Sequence, residues 1–396
     1  MRLRRVATAQ TKRHVCLVYD CLYPHTIGGA ERWYRNLGDA LAAAGHRVTY
    51  LTLRQWPEGE TAQVPNVDVV AVGPRMALYG AGGNRRVLPP IVFGLGVLWH
   101  LLRHGRRYDA IHTASFPYFS LLAIGLLQPI HHYRVSVDWF EFWSFSYWTR
   151  YLGRLGGRIG WLVQGLCLRL PQNAFCFSIL VARRLTAQGL RARPEILRGL
   201  CAQLPTSREP SRADPVVLFA GRHIPEKQAA AIVPALALAV AERPDLRALI
   251  LGDGPARGEV LDAVDREGLG DRIDVPGFVS AETMTEHLAR ALCLIHPSER
   301  EGYGLVVVEA AALGTPSILV RGADNAATEL VEDGVNGFVA DSASPEALAE
   351  AILRVAAAGH TLRLSTAAWF GCHASSLSLA SSLDRVVASY RADPAG

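Results

Sequence analysis

HPSEREGYGLVVVEAAALGTPSI (residues 296–318) places two glutamates, Glu301 and Glu309, on either side of a Gly-Tyr-Gly turn. A strand-like apolar run leads into the turn, an apolar helical run follows it, and a second strand-like run ends the stretch. A strand, a helix and a strand in this order predict parallel strands covered by helices. The carboxylates have two interpretations. They lie at a solvent-exposed helix start, where acidic residues are favourable, or they bind a polar, hydroxyl-rich ligand.

The same alternation of strands and helices extends to both sides of this stretch. In the first half of the chain, strand-like runs occur at 14–20, 47–53, 67–73, 109–116, 133–139 and 173–180. The segment 203–215, rich in Pro, Ser and mixed charges, predicts a linker. After it, strand-like runs occur at 216–221, 247–254, 271–279, 293–298, 316–320 and 337–340. The pattern predicts an α/β protein with two doubly wound domains, whose ligands bind at the carboxyl ends of the strands.

Length and composition agree with two globular domains. The chain has 396 residues, more than one core usually supports, and 50% of them are hydrophobic. A net charge of +5 without a dense Lys/Arg run gives no indication of nucleic acid binding. Seven scattered cysteines, without a CxxC pair, predict buried reduced thiols and neither a disulfide framework nor a zinc site. The basic N-terminus lacks the apolar core of a signal peptide, and the apolar stretches 87–102 and 116–130 are too short to span a bilayer.

Three strand-to-helix turns carry residues suited to ligand binding. GRHIPEKQ places Arg222 and Lys227 at the end of a strand, where two cations suit a diphosphate, although taken alone the pattern is also typical of surface residues on a loop. TIGGAERW places Gly28 and Gly29 before a helix. These glycines either let the backbone approach an anion closely or only mark the start of the helix. LGDGPARGEV is not the GxGxxG dinucleotide fingerprint, which disfavours a nicotinamide dehydrogenase, and its glycines suit tight turns as well as ligand contact.

The Gly-Tyr-Gly turn of the opening stretch begins a helix with free backbone amides. The N–H groups of residues 303–306 are available for a phosphate, which Glu301 would repel unless it points to a sugar's hydroxyl groups. Glu309 lies two turns into an apolar helix, where an unpaired charge is costly. A diol such as a ribose would offset that cost. The spacing therefore predicts one carboxylate on a sugar and the other on a nucleoside's ribose.

These motifs together resemble the retaining glycosyltransferases of family 4, which have the GT-B fold. The Glu301-to-Glu309 arrangement resembles the family's E-x7-E signature, GRHIPEKQ resembles its diphosphate-binding turn, and GGAERW resembles its glycine loop. LILGDGP and VPGFVS follow in the expected order. The resemblance implies an acceptor-binding domain at 1–205, a nucleotide-sugar-binding domain at 206–365 and a C-terminal helix at 366–396 packing back on the first domain.

The resemblance also implies roles for individual residues. Arg222 and Lys227 would bind the donor diphosphate, Glu301 the donor sugar and Glu309 the ribose. The backbone amides of Tyr303, Gly304 and Leu305 would meet the phosphate or the sugar, and Gly28 and Gly29 would close over the diphosphate from the other domain. The leaving diphosphate would be stabilised electrostatically and without a metal ion or cofactor, in keeping with the absence of Asp-x-Asp from the sequence.

The N-terminal half departs from the family pattern. Asp138 stands where the family often has a histidine, and Glu141 follows closely; each either hydrogen-bonds a substrate hydroxyl group or is a polar strand end facing solvent. The aromatic-rich segment 138–153 either stacks on sugars, sits at a membrane interface or caps the domain core. The stretch 87–109 is predicted as a buried helix with a basic end, with an interfacial helix as the alternative.

The predicted function is transfer of a sugar from a UDP- or GDP-sugar to a hydroxyl group of a small-molecule, saccharide or lipid-linked acceptor. The alternatives are a nucleotide-sugar epimerase on the same fold, which would need acid and base groups around the sugar carbon, and a non-catalytic nucleotide-sugar-binding protein. The expected location is the cytoplasm, with peripheral contact at the inner face of the membrane.

Overall fold

The structure is a computed structural model that describes residues 12–26, 28–78, 80, 85–201 and 210–391. Residues 1–11 of the basic N-terminus and residues 203–209 of the predicted linker lie outside the described residues.

A parallel sheet forms the centre of the N-terminal half. Within the described residues its seven strands are β1 (His14–Val18), β2 (Arg47–Leu53), β3 (Asp68–Gly73), β4 (Ala110–Ala114), β5 (Arg134–Trp139), β6 (Asn173–Cys176) and β7 (Glu195–Ile196). Their order is β3-β2-β1-β4-β5-β6-β7. The order reverses between β1 and β4, which opens a crevice at their carboxyl ends. Most residues of β1, β4 and β5 are buried, as expected for strands covered on both faces.

Helices connect these strands and cover the sheet. They are α1 (Gly29–Ala43), α2 (Leu88–His104), α3 (Tyr118–His131), α4 (Phe145–Leu168) and α5 (Ile179–Ala187). Because crossover connections are right-handed, α2, α3 and α4 lie on the face of the sheet opposite to α1. On that face, α2 contacts α3 and α3 contacts α4. A kink at Gly153, whose φ is +73°, divides α4.

The C-terminal half repeats the arrangement. Its main sheet contains β8 (Val216–Ala220), β9 (Arg247–Leu251), β10 (Ile273–Gly277), β11 (Cys293–His296), β13 (Ser317–Val320) and β15 (Gly337–Ala340), in the order β10-β9-β8-β11-β13-β15. The intervening β12 (Arg300–Glu301) and β14 (Asp324–Asn325) pair with each other as a separate short ladder. The order of the main sheet reverses between β8 and β11, so the second crevice opens there.

The helices of this half are α6 (Ile232–Glu242), α7 (Arg257–Glu267), α8 (Ala281–Arg290), α9 (Leu305–Ala312), α10 (Pro345–Leu377) and α11 (Leu379–Arg391). A kink at Gly359, with φ of +56°, divides the long α10. The chain then returns to the N-terminal half, where α11 packs on α1 and the Tyr390 hydroxyl lies 2.7 Å from Nδ1 of His112.

Serine side chains begin several of these helices. Ser144, Ser178, Ser280 and Ser344 precede α4, α5, α8 and α10, and each hydroxyl oxygen accepts a hydrogen bond from the backbone N–H three residues later. Each bond satisfies one of the amide groups that a helix start leaves unpaired. The short-range sequence pattern therefore sets these helix starts.

The prediction of two doubly wound domains facing across a cleft is confirmed. The predicted boundary at 205–206 falls between β7 and β8, among residues outside the described part. None of the seven cysteines, all of which lie in the described part of the chain, forms a disulfide. Six are buried and Cys372 is exposed, so the prediction of buried thiols is wrong for that residue. No described helix is long and apolar enough to cross a membrane.

Candidate active site

A cleft of about 1200 Å³ lies between the two halves, at the carboxyl ends of both sheets. Loops that follow β1, β4 and β5 form one wall, and loops that follow β8, β9 and β11 form the other, together with the first turns of α1 and α9. This is the position at which doubly wound sheets bind ligands. Most of the predicted binding residues line it: Gly28, Gly29, Arg222, Glu301, Tyr303, Gly304, Leu305 and Glu309.

The turn after β8 carries the predicted pair of cations. Arg222 is exposed and lines the cleft. Lys227 ends a short 3-10 helix, and its ammonium group contacts the carboxylate of Glu301. The structure therefore brings Arg222 to the cleft as an unshielded positive charge, whereas Lys227 already has an anionic partner.

Glu301 lies in the short strand β12, which pairs with β14 and so holds the residue beside the turn before α9. Burial raises the pKa of its carboxyl group, but the combined effect of Lys227, His296 and Arg300 is larger, so the net pKa is lowered. The side chain is only 18% exposed and lines the cleft. Glu301 is therefore ionised, partly desolvated and able to accept hydrogen bonds from a ligand's hydroxyl groups.

His296, at the end of β11, lies next to Glu301 but was not predicted as a site residue. Its Nε2 is 3.9 Å from the Glu301 carboxylate, and its Nδ1 is 2.9 Å from the hydroxyl of Ser298. Burial and the nearby Lys227 lower the pKa of the imidazole to about 4, so it is neutral at physiological pH. Its position in the quoted motif was visible in the sequence, but its contact with Glu301 was not.

The Gly-Tyr-Gly turn is tightly packed at the start of α9. Gly304 has φ of +95°, and a Cβ there would lie 2.7 Å from that of Ala327, so the position requires glycine. The Tyr303 side chain is buried and its hydroxyl donates to the backbone carbonyl of Arg198 in the N-terminal half. Tyr303 therefore ties the turn to the opposite wall, while the backbone at Leu305 begins the helix.

Glu309 faces the cleft from the second turn of α9. Burial raises the pKa of its carboxyl group, and the charge of Arg32 on α1 opposes the shift. Arg32 also lines the cleft from the N-terminal side. The two glutamates of the motif thus have different electrostatic environments: Glu301 is held ionised by a cation, and Glu309 is destabilised as an anion until a partner reaches it.

Gly28 and Gly29 form the start of α1 on the N-terminal wall. Gly28 has an extended backbone and precedes the helix, and an added Cβ would lie 2.4 Å from the Glu31 carboxylate. Gly29 has open space around it. Glu31 and Arg85 also line the cleft, and the Arg85 guanidinium contacts the buried Asp20 carboxylate. Glu31 belongs to the GGAERW stretch but was not predicted as a site residue, and Arg85 belongs to no motif recognised in the sequence.

Asp138 lies outside this site. The residue is completely buried at the end of β5, where its carboxylate accepts a 2.7 Å hydrogen bond from the Trp33 indole and lies 2.9 Å from Nε2 of His112. It does not line the cleft, and it does not face solvent as the alternative required. Because β5 is covered on both faces of the sheet, its last residues are buried whichever face they point to. The geometry gives no support to a catalytic role for Asp138.

Glu141, the other acidic residue of the same segment, does line the cleft. Its carboxylate contacts Arg300 of the opposite half and accepts a 2.8 Å hydrogen bond from the Trp143 indole. The Arg300 guanidinium lies over the rings of Trp143 and Tyr147, at 4.7 and 4.1 Å from their centroids. Glu141 therefore anchors the two walls to each other.

Further polar contacts join the halves around the cleft. The Tyr147 hydroxyl donates to Glu226 at 3.0 Å, and Arg150 pairs with Glu299 at 2.9 Å. Glu329 accepts two hydrogen bonds of 2.7 Å from the first backbone amides of α5. These contacts hold the walls close together. The close approach requires glycine at position 302, because a Cβ there would lie 2.7 Å from the carbonyl oxygen of Phe140.

The aromatic-rich segment mostly caps the core. Trp139, Phe142, Tyr147 and Trp148 are buried, whereas Phe140 and Trp143 line the cleft. The glycines of LGDGPARGEV serve close packing: Gly252 has φ of +114°, and a Cβ there would lie 1.9 Å from the Gly221 carbonyl oxygen, directly before Arg222. Asp253 and Gly254 line the cleft as well. Among the described residues no group of His, Cys, Asp and Glu side chains is arranged to hold a metal ion.

Two protein-family models match consecutive parts of the chain. The model described as "Glycosyl transferase 4-like domain" matches residues 28–198, and the model "Glycosyl transferases group 1" matches residues 205–364. The first match covers β2 to β7 of the N-terminal sheet, and the second covers β8 to β15. Together they account for both walls of the cleft.

Curated relatives match over part of their length. A stretch of 141 residues is 31% identical to an alpha-D-kanosaminyltransferase of Streptomyces kanamyceticus and covers 36% of each chain. A stretch of 150 residues is 35% identical to a D-inositol 3-phosphate glycosyltransferase of Streptomyces griseus and covers 36% of this chain and 31% of the relative. The matched region thus spans about a third of these relatives.

Solved structures match over nearly the whole chain. Sucrose-phosphate synthase from Thermosynechococcus elongatus superposes with a TM-score of 0.77 at 19% identity, covering 96% of this chain and 98% of the other. The Anabaena protein HepE, in complex with UDP and glucose, superposes with a TM-score of 0.69 at 17% identity, covering 96% and 100%. At these identities the likeness concerns the fold.

Proposed function

The chain belongs to the family 4-type glycosyltransferases of GT-B fold, and from that membership we propose that it transfers a sugar from a nucleotide-diphospho-sugar to a hydroxyl group of an acceptor, with retention of the anomeric configuration. The observation that carries the proposal is that one cleft brings together Arg222, Glu301, the start of α9 and Glu309 on one wall and the glycine loop of α1 on the other.

The C-terminal wall is proposed to bind the donor. Arg222 would bind the diphosphate together with the free amides at Leu305, since an arginine fork and a helix start both favour phosphate oxygens. Lys227 contacts Glu301 through one of its three N–H donors, which leaves donors for a phosphate. These cations would stabilise the leaving diphosphate in place of a metal ion.

The two glutamates are proposed to bind the donor's hydroxyl groups. Glu301, ionised beside Lys227, would accept hydrogen bonds from the transferred sugar. Glu309 would accept hydrogen bonds from the ribose, which supplies the partner that its burial demands. Gly28 and Gly29 would allow the opposite loop to approach the diphosphate.

The transfer step is proposed to need no enzyme base. The acceptor oxygen would form the new bond on the face from which the diphosphate leaves, and a donor phosphate oxygen would take the acceptor's proton. The carboxylate proposed from the sequence as an N-terminal catalytic residue, Asp138, is placed instead in the core, which supports a role in structure. Glu141 is the acidic residue of that segment that reaches the cleft.

The acceptor is proposed to be a sugar, a natural-product scaffold or a lipid-linked saccharide bound mainly by the N-terminal wall, where Arg32, Arg85 and Glu141 offer charged groups. The cytoplasm is the proposed location, and the lack of a disulfide among the seven cysteines of the described residues supports it.

The experiment that tests the function is a thermal-shift screen of the purified protein with UDP, GDP, ADP, NAD and common sugar conjugates. A nucleotide present at 100 times its dissociation constant stabilises the folded state by about 2.7 kcal/mol. At about 2–4 °C per kcal/mol, this gives a clear rise in the unfolding midpoint. Transfer from the selected nucleotide-sugar to an added acceptor then supports the proposal. Conversion of the donor into its epimer, or binding without any reaction, contradicts it.

A further inference from the structure

The outer side of α4 carries a stripe of exposed aliphatic side chains. Leu155, Ile159, Leu162 and Leu166 follow one another at intervals of four, three and four residues, so they lie on one face of the helix. Leu155 is 73% exposed and Leu162 is 63% exposed. The opposite face of the helix packs into the core through Cys167. The stripe is therefore apolar surface that the fold of this chain leaves uncovered.

The neighbouring helices of the same layer extend this surface. Leu95, Trp99 and Leu102 are exposed on α2, and Leu126 and Ile130 are exposed on α3. Since α2 contacts α3 and α3 contacts α4, the three exposed stripes belong to one layer on the same face of the sheet. The predicted buried helix at 87–109 is therefore buried on one side only. Exposed apolar side chains grouped on neighbouring helices in this way indicate an interaction site.

Positive charge surrounds this apolar surface. Arg154 and Arg158 each precede a leucine or isoleucine of the α4 stripe by one position, and Arg106 and Arg107 follow the end of α2. The Arg103 guanidinium stacks on the exposed Trp99 ring, 3.2 Å from its centroid. The segments 85–108, 118–134 and 142–172, which contain the three helices, include no Asp or Glu. We call the exposed sides of α2, α3 and α4 together the apolar-basic face.

We propose that the apolar-basic face docks on an anionic lipid bilayer. Leucine, isoleucine and tryptophan side chains beside arginines are the composition with which helices lie in a membrane interface, and anionic lipid headgroups attract the arginines. Pairing of the face with the same face of a second copy is disfavoured, since it would bring arginines together without acidic partners.

The surface lies outside the cleft, and the inference does not depend on which reaction the cleft performs. The helix α4 connects the two regions, however. Tyr147, in its first turn, donates to Glu226 across the cleft, and the exposed stripe begins after the kink at Gly153. A bilayer on the apolar-basic face would thus lie against the domain proposed to bind the acceptor.

The test is co-sedimentation of the full-length protein with lipid vesicles. One set contains phosphatidylcholine alone, and the other contains phosphatidylcholine with phosphatidylglycerol. The expected result is binding to the anionic vesicles, weak binding to the neutral vesicles, and loss of binding as salt is raised. Equal binding to both sets, or none to either, overturns the proposal.

Two double variants locate the binding. Arg154→Gln with Arg158→Gln removes charge, and Leu155→Ser with Leu162→Ser removes apolar contact; each is expected to lower the partition coefficient roughly tenfold or more. The control is Leu238→Ser with Leu261→Ser, which alters exposed leucines of α6 and α7 in the other domain and should bind as the wild type does.

Unfolding midpoints and circular dichroism establish that all three variants fold. If both test variants fold and bind as the wild type does, the apolar-basic face is not the docking surface. Sedimentation equilibrium supplies a further check: a dimer that Leu155→Ser with Leu162→Ser dissociates would mean that a second copy covers the face, and would overturn the membrane proposal.

Discussion

The ammonium group of Lys227 contacts the carboxylate of Glu301 at the cleft. Sequence motifs assign these residues to different parts of a donor, the diphosphate and the sugar. In the structure they form one ion pair, which keeps the half-buried carboxylate ionised before any ligand binds. Of the two cations on this turn, Arg222 lines the cleft and Lys227 does not.

Replacement of Glu301 tests the proposed contact with the donor sugar. Glu301→Ala is expected to lower the rate of sugar transfer by about 10²-fold or more, because it removes a hydrogen-bonding carboxylate beside the reacting sugar. Affinity for the nucleoside diphosphate should change little. Steady-state kinetics and calorimetric titration measure the two effects, with Glu350→Ala on the exposed side of α10 as the control. Normal turnover in the Glu301 variant would refute the assignment.

Replacement of Arg222 tests the proposed diphosphate contact. Arg222→Ala is expected to weaken binding of the nucleoside diphosphate by tenfold or more, since a hydrogen bond to a charged group contributes about 1.5–3 kcal/mol. Isothermal titration calorimetry measures the loss. Arg247→Ala is a matched control, because Arg247 begins β9 at the amino ends of the strands of the same sheet, away from the cleft. Unchanged affinity in the Arg222 variant would show that this turn does not bind the diphosphate.

Glycines of the turn after β9 offer a prediction about stability. Gly252→Ala is expected to destabilise the protein by about 3 kcal/mol or more, because its φ is positive and the new Cβ would meet the Gly221 carbonyl oxygen. Gly258→Ala, in α7 and with no atom near its Cβ position, should be neutral or stabilising. Urea unfolding of both variants measures the difference. Equal stability would show that the close approach is relieved by a backbone shift.

The ion pair of Arg300 with Glu141 is expected to contribute more to the free energy of unfolding than the more exposed pair of Arg150 with Glu299. A double-mutant cycle with Arg300→Ala and Glu141→Ala should give a coupling energy of about 1–3 kcal/mol, since both side chains are partly buried.

The same cycle on Arg150 and Glu299, whose side chains are exposed, should give about 0.2–1 kcal/mol. Both pairs join the two halves, so the comparison isolates burial. Thermal or urea unfolding supplies the free energies. A coupling energy for the first pair no larger than for the second would mean that Arg300 does not anchor the walls.

The neutral state of His296 predicts a pH dependence of stability. Its folded-state pKa is about 4, below the ordinary value of 6.5, so between these values the unfolded chain binds a proton that the folded chain does not. The free energy of unfolding should therefore fall as pH is lowered through this window, by a little over ~3 kcal/mol in full.

His296→Gln should make this decline shallower, although it also costs stability at neutral pH through loss of the Ser298 contact. His287→Gln, an exposed position on α8, should leave the slope of the wild type unchanged. Unfolding midpoints from about pH 7 to about pH 5 measure the slopes. An unchanged slope in the His296 variant would show that other groups cause the decline.

Most of the strands could be located from the sequence to within a few residues. The runs predicted at 47–53 and 337–340 coincide with β2 and β15, because apolar β-branched stretches bounded by turn residues are a local signal. The two-residue strands β12 and β14 were not predicted. They contain too few residues for a periodic pattern, and they form only because the turn at Glu301 lies beside residue 325.

The environment of individual side chains was less predictable. Asp138 was expected at the active site and lies in the core, paired with Trp33 and His112 from distant strands and helices. The helix α2 was expected to be buried and has one face uncovered, because its apolar residues exceed what one buried face accommodates. Both outcomes depend on elements far apart in sequence, which local periodicity does not encode.

The sequence by itself determined the two doubly wound domains, the turns at Arg222 and Gly28, and the Glu301-to-Glu309 motif, because each follows from apolar periodicity or from residue spacing within one stretch. Only the tertiary structure decided that Lys227 pairs with Glu301, that Arg300 joins Glu141 across the cleft, and that Asp138 is buried. The physical reason is that a side chain's charge state and partners depend on burial and on contacts between elements remote in sequence, which exist only once both sheets and their helices have packed.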